Sequence, residues 1–223
     1  MNAELDAFKS NQSNNSSIAM VYLHGFLSSP QALKAIIVEQ YLATQSVPID
    51  YYRPAIADKP SQAIPALIEY FKQLQQTYEQ VIIVGSSLGG FYAHCMAELF
   101  LFKTVLVNPL VDASARMWHY SEEVIGQLEN PYTLNTFSIT AEDRASVDEL
   151  EQACRRFNPA TKLVLLQMGD EVLDAHLAAR YYQQSCCMIA AGGNHQFEDF
   201  DQYTPLIFQW LGLSVTPASN TIK

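Results

Sequence analysis

Short apolar runs alternate with segments of helical periodicity along most of the chain. The runs are rich in β-branched and aliphatic side chains, which is typical of strands buried in a sheet. The segments between them place apolar residues three or four positions apart, as an amphipathic helix does. The predicted strands are Ile18–Leu23, Val47–Arg53, Val81–Val84, Thr104–Pro109, Lys162–Met168 and Cys186–Ala191. The predicted helices are Gln31–Thr44, Ser61–Tyr78, Phe91–Leu99, Ala175–Gln184 and Asp201–Leu211.

This alternation predicts one α/β domain, with a mainly parallel sheet and helices on both faces. The chain of 223 residues is long enough for one such domain with a sizeable core. We expect the domain over residues 18–213, between a disordered polar leader over 1–17 and a C-terminal tail over 214–223. Parallel sheets bind ligands at the carboxyl ends of their strands, so the loops there are the place to look for chemistry.

One segment, residues 111–159, departs from the alternation. It has no strong strand, and it carries several large side chains among polar residues, namely Met117, Trp118, Tyr120, Tyr132 and Phe137. We interpret it as a small helical cap inserted into the domain, covering the site. Its aromatic side chains either line the site or pack the cap onto the sheet.

The stretch Gly85-Ser86-Ser87-Leu88-Gly89 follows a buried strand and precedes a helix. Strand, tight turn and helix are the context in which Gly-x-Ser-x-Gly forms a nucleophile elbow. Ser87 has a glycine two residues away on each side, whereas Ser86 has Val84 and Leu88. The spacing therefore identifies Ser87 as the candidate nucleophile. A glycine-rich turn with an idle serine is the alternative interpretation.

Three further loops at strand ends carry polar residues, at His24-Gly25, Asp170 and His195. A serine hydroxyl needs a base to take its proton, and the base needs a carboxylate to orient it. The order Ser87, Asp170, His195 is the order of an α/β hydrolase. We therefore predict these three as catalytic residues.

Several residues compete for these roles. Glu171 and Asp174 share the loop of Asp170, although Asp174 is also placed to cap the next helix, and Asp112 follows an earlier strand. We expect His24 to shape its loop and His94 to be structural. His119 and His176 are expected at the surface or at helix caps.

An acyl-transfer site also needs two N–H donors for the oxyanion of the tetrahedral intermediate. One is expected from the main chain of Leu88, after the nucleophile. The other is expected from the loop after the first strand, at Phe26. Gly25 and His24 belong to the same loop and complete the predicted oxyanion and substrate-binding set.

Charge and composition narrow the partners. The net charge of −10 excludes the basic surface that nucleic-acid binding requires, and it disfavours docking on an anionic membrane. The polar N-terminus lacks the apolar core of a secretion signal, and no apolar run is long enough to span a bilayer. We therefore expect a cytoplasmic protein, and a monomer or small homo-oligomer.

Four cysteines are present, Cys95, Cys154, Cys186 and Cys187, and none forms a Cys-x-x-Cys pair. We predict that they are small buried hydrophobic residues in a reducing compartment. The sequence contains no metal-binding cluster and no phosphate-binding glycine loop, so no metal and no cofactor are expected.

Several motifs together resemble the YqiA-type bacterial esterases, the UPF0227 family of the α/β-hydrolase superfamily. The matching stretches are Tyr22–Pro30, Tyr52–Pro54, Val84–Ala93, Val107–Pro109, Asn130–Thr133, Gly169–Asp174 and Gly192–His195. The likeness covers residues from about 18 to 213. It implies a small cytoplasmic α/β hydrolase that cleaves acyl esters, and thioesters such as acyl-CoA. After Asn108-Pro109 the family usually has a short basic, proline-containing stretch, whereas this chain has Leu110–Arg116. Since that region borders the site, we expect the acyl-chain or leaving-group preference of this protein to differ from that of the family.

The function predicted from the sequence is that of a serine carboxylic-ester hydrolase, an esterase or thioesterase, acting through an acyl-enzyme on Ser87. The substrate is a small-molecule acyl ester or thioester. An acyltransferase would use the same residues with an alcohol or amine in place of water. A non-catalytic binding protein on the same fold is the third interpretation, and the complete set Ser87, Asp170 and His195 argues against it.

Overall fold

The computed structural model describes residues 9–10 and 16–213. The expected tail and most of the expected leader lie outside these residues. The strands are β1 (Lys9–Ser10), β2 (Ile18–Leu23), β3 (Ile49–Tyr52), β4 (Gln80–Ser87), β5 (Lys103–Pro109), β6 (Leu128–Glu129), β7 (Thr136–Phe137), β8 (Lys162–Gln167) and β9 (Cys186–Ala190). The helices are α1 (Leu33–Ala43), α2 (Pro60–Thr77), α3 (Leu88–Phe100), α4 (Ala113–His119), α5 (Ala141–Cys154), α6 (Ala175–Tyr181) and α7 (Phe200–Leu211), with a 3₁₀ turn at Pro159–Thr161.

The main sheet has the strand order β1-β3-β2-β4-β5-β8-β9, which places β4 at its centre. Every neighbouring pair is parallel except β1 with β3. The predicted mainly parallel sheet is therefore confirmed. All six strands predicted from the sequence form, and so do the five predicted helices.

Helices cover both faces of this sheet, as the alternating pattern predicts. Successive side chains of a strand point to opposite faces. In β2, Ala19 and Val21 pack in the core shared with α2 to α6, whereas Met20 and Tyr22 pack in the core shared with α1 and α7. All four side chains are at most 1% exposed. A strand buried on both faces reads as a continuous apolar run, which is why the strands are visible in the sequence.

Residues 111–159 contain two helices and a small hairpin. The hairpin, β6 with β7, was not predicted, because two residues in each strand are too few to show a period. Helix α5 packs against α2, α3 and α4, and its Val147 and Leu150 are buried in the same core as α2 and α3. The hairpin contacts the loop between β3 and α2, where Asn130 Nδ2 donates to Asp58 Oδ1 at 2.5 Å.

The four cysteines are free thiols, but they do not share one environment. Cys95 and Cys154 are buried, as predicted, and Cys187 is partly buried. The prediction of burial is wrong for Cys186, which is exposed. Cys186 begins β9, and β9 is the edge strand of the sheet, so its apolar pattern does not require cover on both sides.

Asp143, in α5, connects residues 111–159 to α2. Its carboxylate accepts the main-chain N–H and hydroxyl of Ser61 in α2, at 3.1 and 2.6 Å, and the N–H and hydroxyl of Thr140 at 2.9 and 2.8 Å. Lys59 Nζ lies 3.4 Å away, and the Asp143 side chain is fully buried. Burial raises the pKa of Asp143, but these hydrogen bonds outweigh burial and hold the pKa below its ordinary value.

Replacing Asp143 with alanine should therefore destabilise the fold. The change leaves the donors of Ser61 and Thr140 without an acceptor, and we expect a loss of about 3 kcal/mol in the free energy of unfolding. Chemical denaturation at pH 7 measures it. Asp148→Ala, at an exposed position of the same helix, is the matched control.

The pH dependence provides a second check. Because the folded pKa of Asp143 is lowered, its contribution is present above the pKa of the unfolded chain and is lost as the pH falls through the folded pKa. The difference in the free energy of unfolding between the wild type and Asp143→Ala should therefore become smaller in strong acid. A gap that stays constant would contradict the assigned role.

Candidate active site

Ser87 ends β4 in a backbone conformation that residues other than glycine rarely adopt. Its φ is 58° and its ψ is −124°, and α3 begins at the next residue, Leu88. Such a conformation costs of order 1–3 kcal/mol and persists only where the surrounding structure enforces it. The result is the strand, sharp turn and helix that the Gly-x-Ser-x-Gly spacing predicts.

The two flanking glycines make this turn possible. A Cβ on Gly85 would lie 2.2 Å from the carbonyl oxygen of Gly89, and a Cβ on Gly89 would lie 2.2 Å from the carbonyl oxygen of Leu23. Neither position has room for a side chain. The close approach of β4, α3 and β2 therefore requires glycine at both.

The two adjacent serines differ in their surroundings. Ser86 is buried, with 6% of its surface exposed, whereas Ser87 is partly exposed. The Oγ of Ser87 lies 3.1 Å from Nε2 of His195. Ser87 is therefore the serine of this pair that meets a base.

His195 is held between Ser87 and Asp170. Its Nδ1 lies 2.8 Å from Oδ2 and 3.0 Å from Oδ1 of Asp170. A proton on Nδ1 donated to this carboxylate leaves Nε2 free to accept the hydroxyl proton of Ser87. Ser87 is the last residue of β4, whereas Asp170 and His195 come from the loops after β8 and β9, so the three side chains are far apart in sequence.

Asp170 has a local reason to be ionised. Its Oδ1 also accepts the main-chain N–H groups of Val172 at 2.9 Å and Leu173 at 2.8 Å. Burial raises the pKa of Asp170, but the hydrogen bonds from His195 and these two N–H groups outweigh burial and lower the pKa. A carboxylate fixed at both ends can orient the imidazole.

The other candidate acids take different positions. Asp174 caps α6, where its Oδ1 accepts the N–H of His176 at 2.9 Å and that of Leu177 at 3.1 Å. Glu171 accepts the main-chain N–H of His195 at 2.9 Å, so it holds the backbone of the histidine and not its ring. Asp112 lies at the N-cap of α4.

The loop after β2 lies against the elbow, where the oxyanion donors are expected. A Cβ on Gly25 would lie 3.2 Å from the Cβ of Ser87 and 3.7 Å from its Oγ. Leu88 is the first residue of α3, so its N–H has no acceptor within the helix. The ring of Phe26 packs against Tyr120 at 5.1 Å and Phe137 at 6.0 Å between centroids, which fixes the loop to the segment after β5.

The ring of His24 contacts the main chain of this loop and of the loop after β3. Its Nε2 accepts the N–H of Ile56 at 3.1 Å, and Nδ1 lies 3.0 Å from the carbonyl oxygen of Gly25. Burial lowers the pKa of His24, which keeps the ring neutral. Both ring nitrogens contact the main chain, one at Gly25 in this loop and one at Ile56.

None of the remaining histidines has a hydrogen bond to Ser87 in the part of the chain that the structure describes. His94 is buried in α3 between Tyr182 and the carbonyl oxygen of Cys154, and burial lowers its pKa to about 4. His119 and His176 are exposed.

Asn108 is a site residue that the sequence reasoning did not single out. The register of β4 with β5 runs from Ser86–Val107 to Ser87–Pro109, so Asn108 is the extra residue of a bulge, with φ of 40°. Bulges turn a side chain in a new direction. Here Nδ2 donates to the carbonyl oxygens of Asn194 at 3.0 Å and His195 at 3.4 Å.

Two further residues hold the same loop. The side-chain oxygen of Gln167 accepts the N–H groups of Asn194 at 3.0 Å and Glu198 at 2.8 Å. Lys34, a buried residue of α1, donates from Nζ to the carbonyl oxygen of Gln196 at 2.9 Å. Burial lowers the pKa of Lys34 to about 8, while Asp170 acts in the opposite direction.

A signal for two of these residues exists in the sequence. Asn108 and Gln167 are uncharged polar residues at the carboxyl ends of otherwise apolar strands, on the edge where ligands bind. Lys34 gave no such signal, because it lies on a helix and not at the end of a strand. Glu171 was considered only as a competing acid, and its bond to the main chain of His195 was not predicted.

Comparison with known families gives one match. A model of the uncharacterised protein family UPF0227 matches residues 19–212, which is most of the chain.

Solved structures with the same architecture are numerous, and each is distant in sequence. Est1E from Butyrivibrio proteoclasticus, solved with ferulic acid bound, has a TM-score of 0.67 and 11% identity, over 92% of this chain and 94% of that one. Mouse alpha/beta hydrolase domain-containing protein 10 has a TM-score of 0.60 and 16% identity, over 88% and 90%. The monoacylglycerol lipase of Paleococcus ferrophilus has a TM-score of 0.63 and 13% identity, over 88% and 95%. The fold is therefore the α/β-hydrolase fold, as predicted.

No helix in the part of the chain that the structure describes is long and apolar enough to cross a membrane.

The role of Asn108 in holding the loop after β9, which carries His195, can be tested by substitution. Asn108→Asp keeps a side chain that tolerates positive φ, but it removes both donors to the loop. Two lost hydrogen bonds of about 0.5–1.5 kcal/mol each should speed amide exchange in the loop roughly tenfold. Hydrogen exchange with mass spectrometry over residues 190–200 measures the change.

Asn135→Asp, at an exposed position in the hairpin, is the matched control and should leave exchange in this loop unaltered. Equal exchange in the Asn108→Asp variant and the wild type would show that Asn108 does not hold the loop.

Proposed function

The chain belongs to the family UPF0227, and we propose that it is a serine esterase that hydrolyses carboxylic esters through an acyl-enzyme on Ser87. The observation that carries the proposal is the continuous hydrogen-bonded line from Asp170 through His195 to Ser87. Its two links measure 2.8 Å, to Nδ1, and 3.1 Å, from Nε2. These are the contacts that convert a weak hydroxyl nucleophile into an effective one.

In the first half of the reaction, Ser87 Oγ attacks the carbonyl carbon of the ester while Nε2 of His195 takes the hydroxyl proton. The ring becomes positively charged, and the carboxylate of Asp170 stabilises that charge. His195 then gives the proton to the leaving alcohol, and the acyl group remains on Ser87. In the second half, His195 takes a proton from water, which attacks the acyl-enzyme. His195 then returns that proton to Ser87 Oγ as the bond to the acyl group breaks and the acid is released.

The negative charge on the carbonyl oxygen needs donors already in position. The N–H of Leu88 at the start of α3 and the N–H of Phe26 in the neighbouring loop are the proposed pair. The positive end of the α3 dipole points to the same place. Each donor of this kind contributes about 3–4 kcal/mol to the stability of the transition state.

The fold neighbours agree with ester chemistry. One of them is named a monoacylglycerol lipase, and another holds ferulic acid, a carboxylic acid. At this level of identity they support the proposal through the fold alone, so the side-chain geometry carries the chemistry.

Replacing Ser87 with alanine should abolish the activity. With p-nitrophenyl esters as substrates we expect a loss of at least a thousandfold in kcat, because the covalent route is removed. Ser86→Ala is the matched control, one residue away and turned into the protein. A fluorophosphonate should label Ser87 in the wild type, as located by mass spectrometry. Labelling of Ser86, or comparable rates in the Ser87 variant, would overturn the assignment.

The acid is tested by the pair Asp170→Asn and Asp174→Asn. An asparagine at 170 favours the wrong imidazole tautomer, so kcat should fall by roughly 10³ to 10⁴. An asparagine at 174 can still cap α6, and we expect less than about a tenfold loss. Steady-state kinetics on one ester decide the matter, and the reverse ranking would move the role of the acid to Asp174.

A further inference from the structure

A pocket of about 190 Å³ opens beside the elbow, between the segment that follows β5 and the segment that follows β8. We call this cavity the aliphatic pocket. Its apolar lining residues are Pro109–Val111, Ala115, Val172–Leu173 and Leu177.

Both sides of the aliphatic pocket are bonded directly to the candidate active site. The N–H of Leu110 donates to the carbonyl oxygen of Ser87 at 3.1 Å. The N–H of Leu173 donates to Oδ1 of Asp170 at 2.8 Å. These contacts place the apolar wall of the pocket next to the main chain of Ser87 and next to Asp170.

The geometry of the tetrahedral intermediate decides which half of the ester points into this pocket. The carbonyl oxygen must face the N–H groups of Phe26 and Leu88. The leaving oxygen must face Nε2 of His195, which gives it a proton. The lining contains none of these three residues, so it is left for the remaining substituent of the carbonyl carbon, which is the acyl chain.

The size of the pocket sets the length of that chain. An apolar cavity of about 150 Å³ holds a benzene ring, which has six carbons. The lining of the pocket also includes charged or titratable side chains, at Asp112, Arg116, His119 and Asp174. Methylenes beyond the volume of the pocket would meet polar side chains or solvent, which disfavours further extension.

Given ester hydrolysis at Ser87, as proposed above, we infer that the aliphatic pocket binds the acyl chain and selects straight chains of about six to eight carbons. Val172 supports the inference, because it is 39% exposed and an acyl chain in the pocket would cover it. Each methylene buried up to that length should raise kcat/KM about fourfold, which corresponds to about 0.8 kcal/mol.

The experiment is a series of p-nitrophenyl esters from acetate to palmitate, run on the wild type and on Ala115→Phe. Ala115 lies on an exposed turn of α4, so a phenylalanine there fills the pocket without disturbing the core. The ratio of kcat/KM for octanoate to that for acetate should fall roughly tenfold or more. Leu177→Ala enlarges the pocket and should move the optimum to longer chains. Ala145→Phe, on the exposed side of α5, is the matched control and should keep the wild-type profile.

A parallel series varies the alcohol, from ethyl to octyl acetate. If Ala115→Phe changes the alcohol preference and not the acyl preference, the pocket holds the leaving group and the inference is wrong. An optimum at palmitate, or an acyl profile that Ala115→Phe does not change, also overturns it while leaving the esterase proposal intact. No cleavage of any ester and no labelling by fluorophosphonate would instead overturn the esterase proposal itself, and the inference with it.

Discussion

The strained backbone of Ser87 is the constraint on which the candidate active site depends. The turn between β4 and α3 holds it at φ 58°, and the contacts at Gly85 and Gly89 leave no space into which it could relax. Because β4 is the central strand and pairs on both sides, this turn stands on the most firmly held part of the sheet. A buried frame can store strain in the residue that we propose as the nucleophile.

The partner of Ser87 starts from the far side of the sheet. His195 follows β9, the edge strand, and its loop must cross the ends of β8 and β5 to reach β4. Main-chain pairing cannot span this distance, so polar side chains take its place. Asn108 leaves the β5 ladder at a bulge, and Gln167 ends β8, and both bond the main chain of the loop. The loop that carries His195 is therefore held mainly by hydrogen bonds from uncharged side chains. Lys34 adds one charged donor and Glu171 one charged acceptor.

The elements of the fold could be predicted from the sequence because the strands are buried on both faces. Ala19 to Leu23 and Val81 to Val84 stand out as unbroken apolar runs for that reason. The same pattern misled at Cys186, since an apolar residue on an edge strand can stay exposed, and periodicity carries no information about strand order. The hairpin of β6 and β7 was invisible because two residues cannot establish a period.

By itself, the sequence determined which serine sits at the elbow, because the requirement for small residues around Ser87 is local and shows in the spacing of Gly85 and Gly89. It also placed Asp170 and His195 on the right edge, since chain order and strand ends are local too. Only the tertiary structure shows which of Asp170, Glu171 and Asp174, which share one loop, meets the ring of His195. Their roles depend on which N–H groups and which ring each carboxylate meets, and those partners are brought together by packing across the sheet.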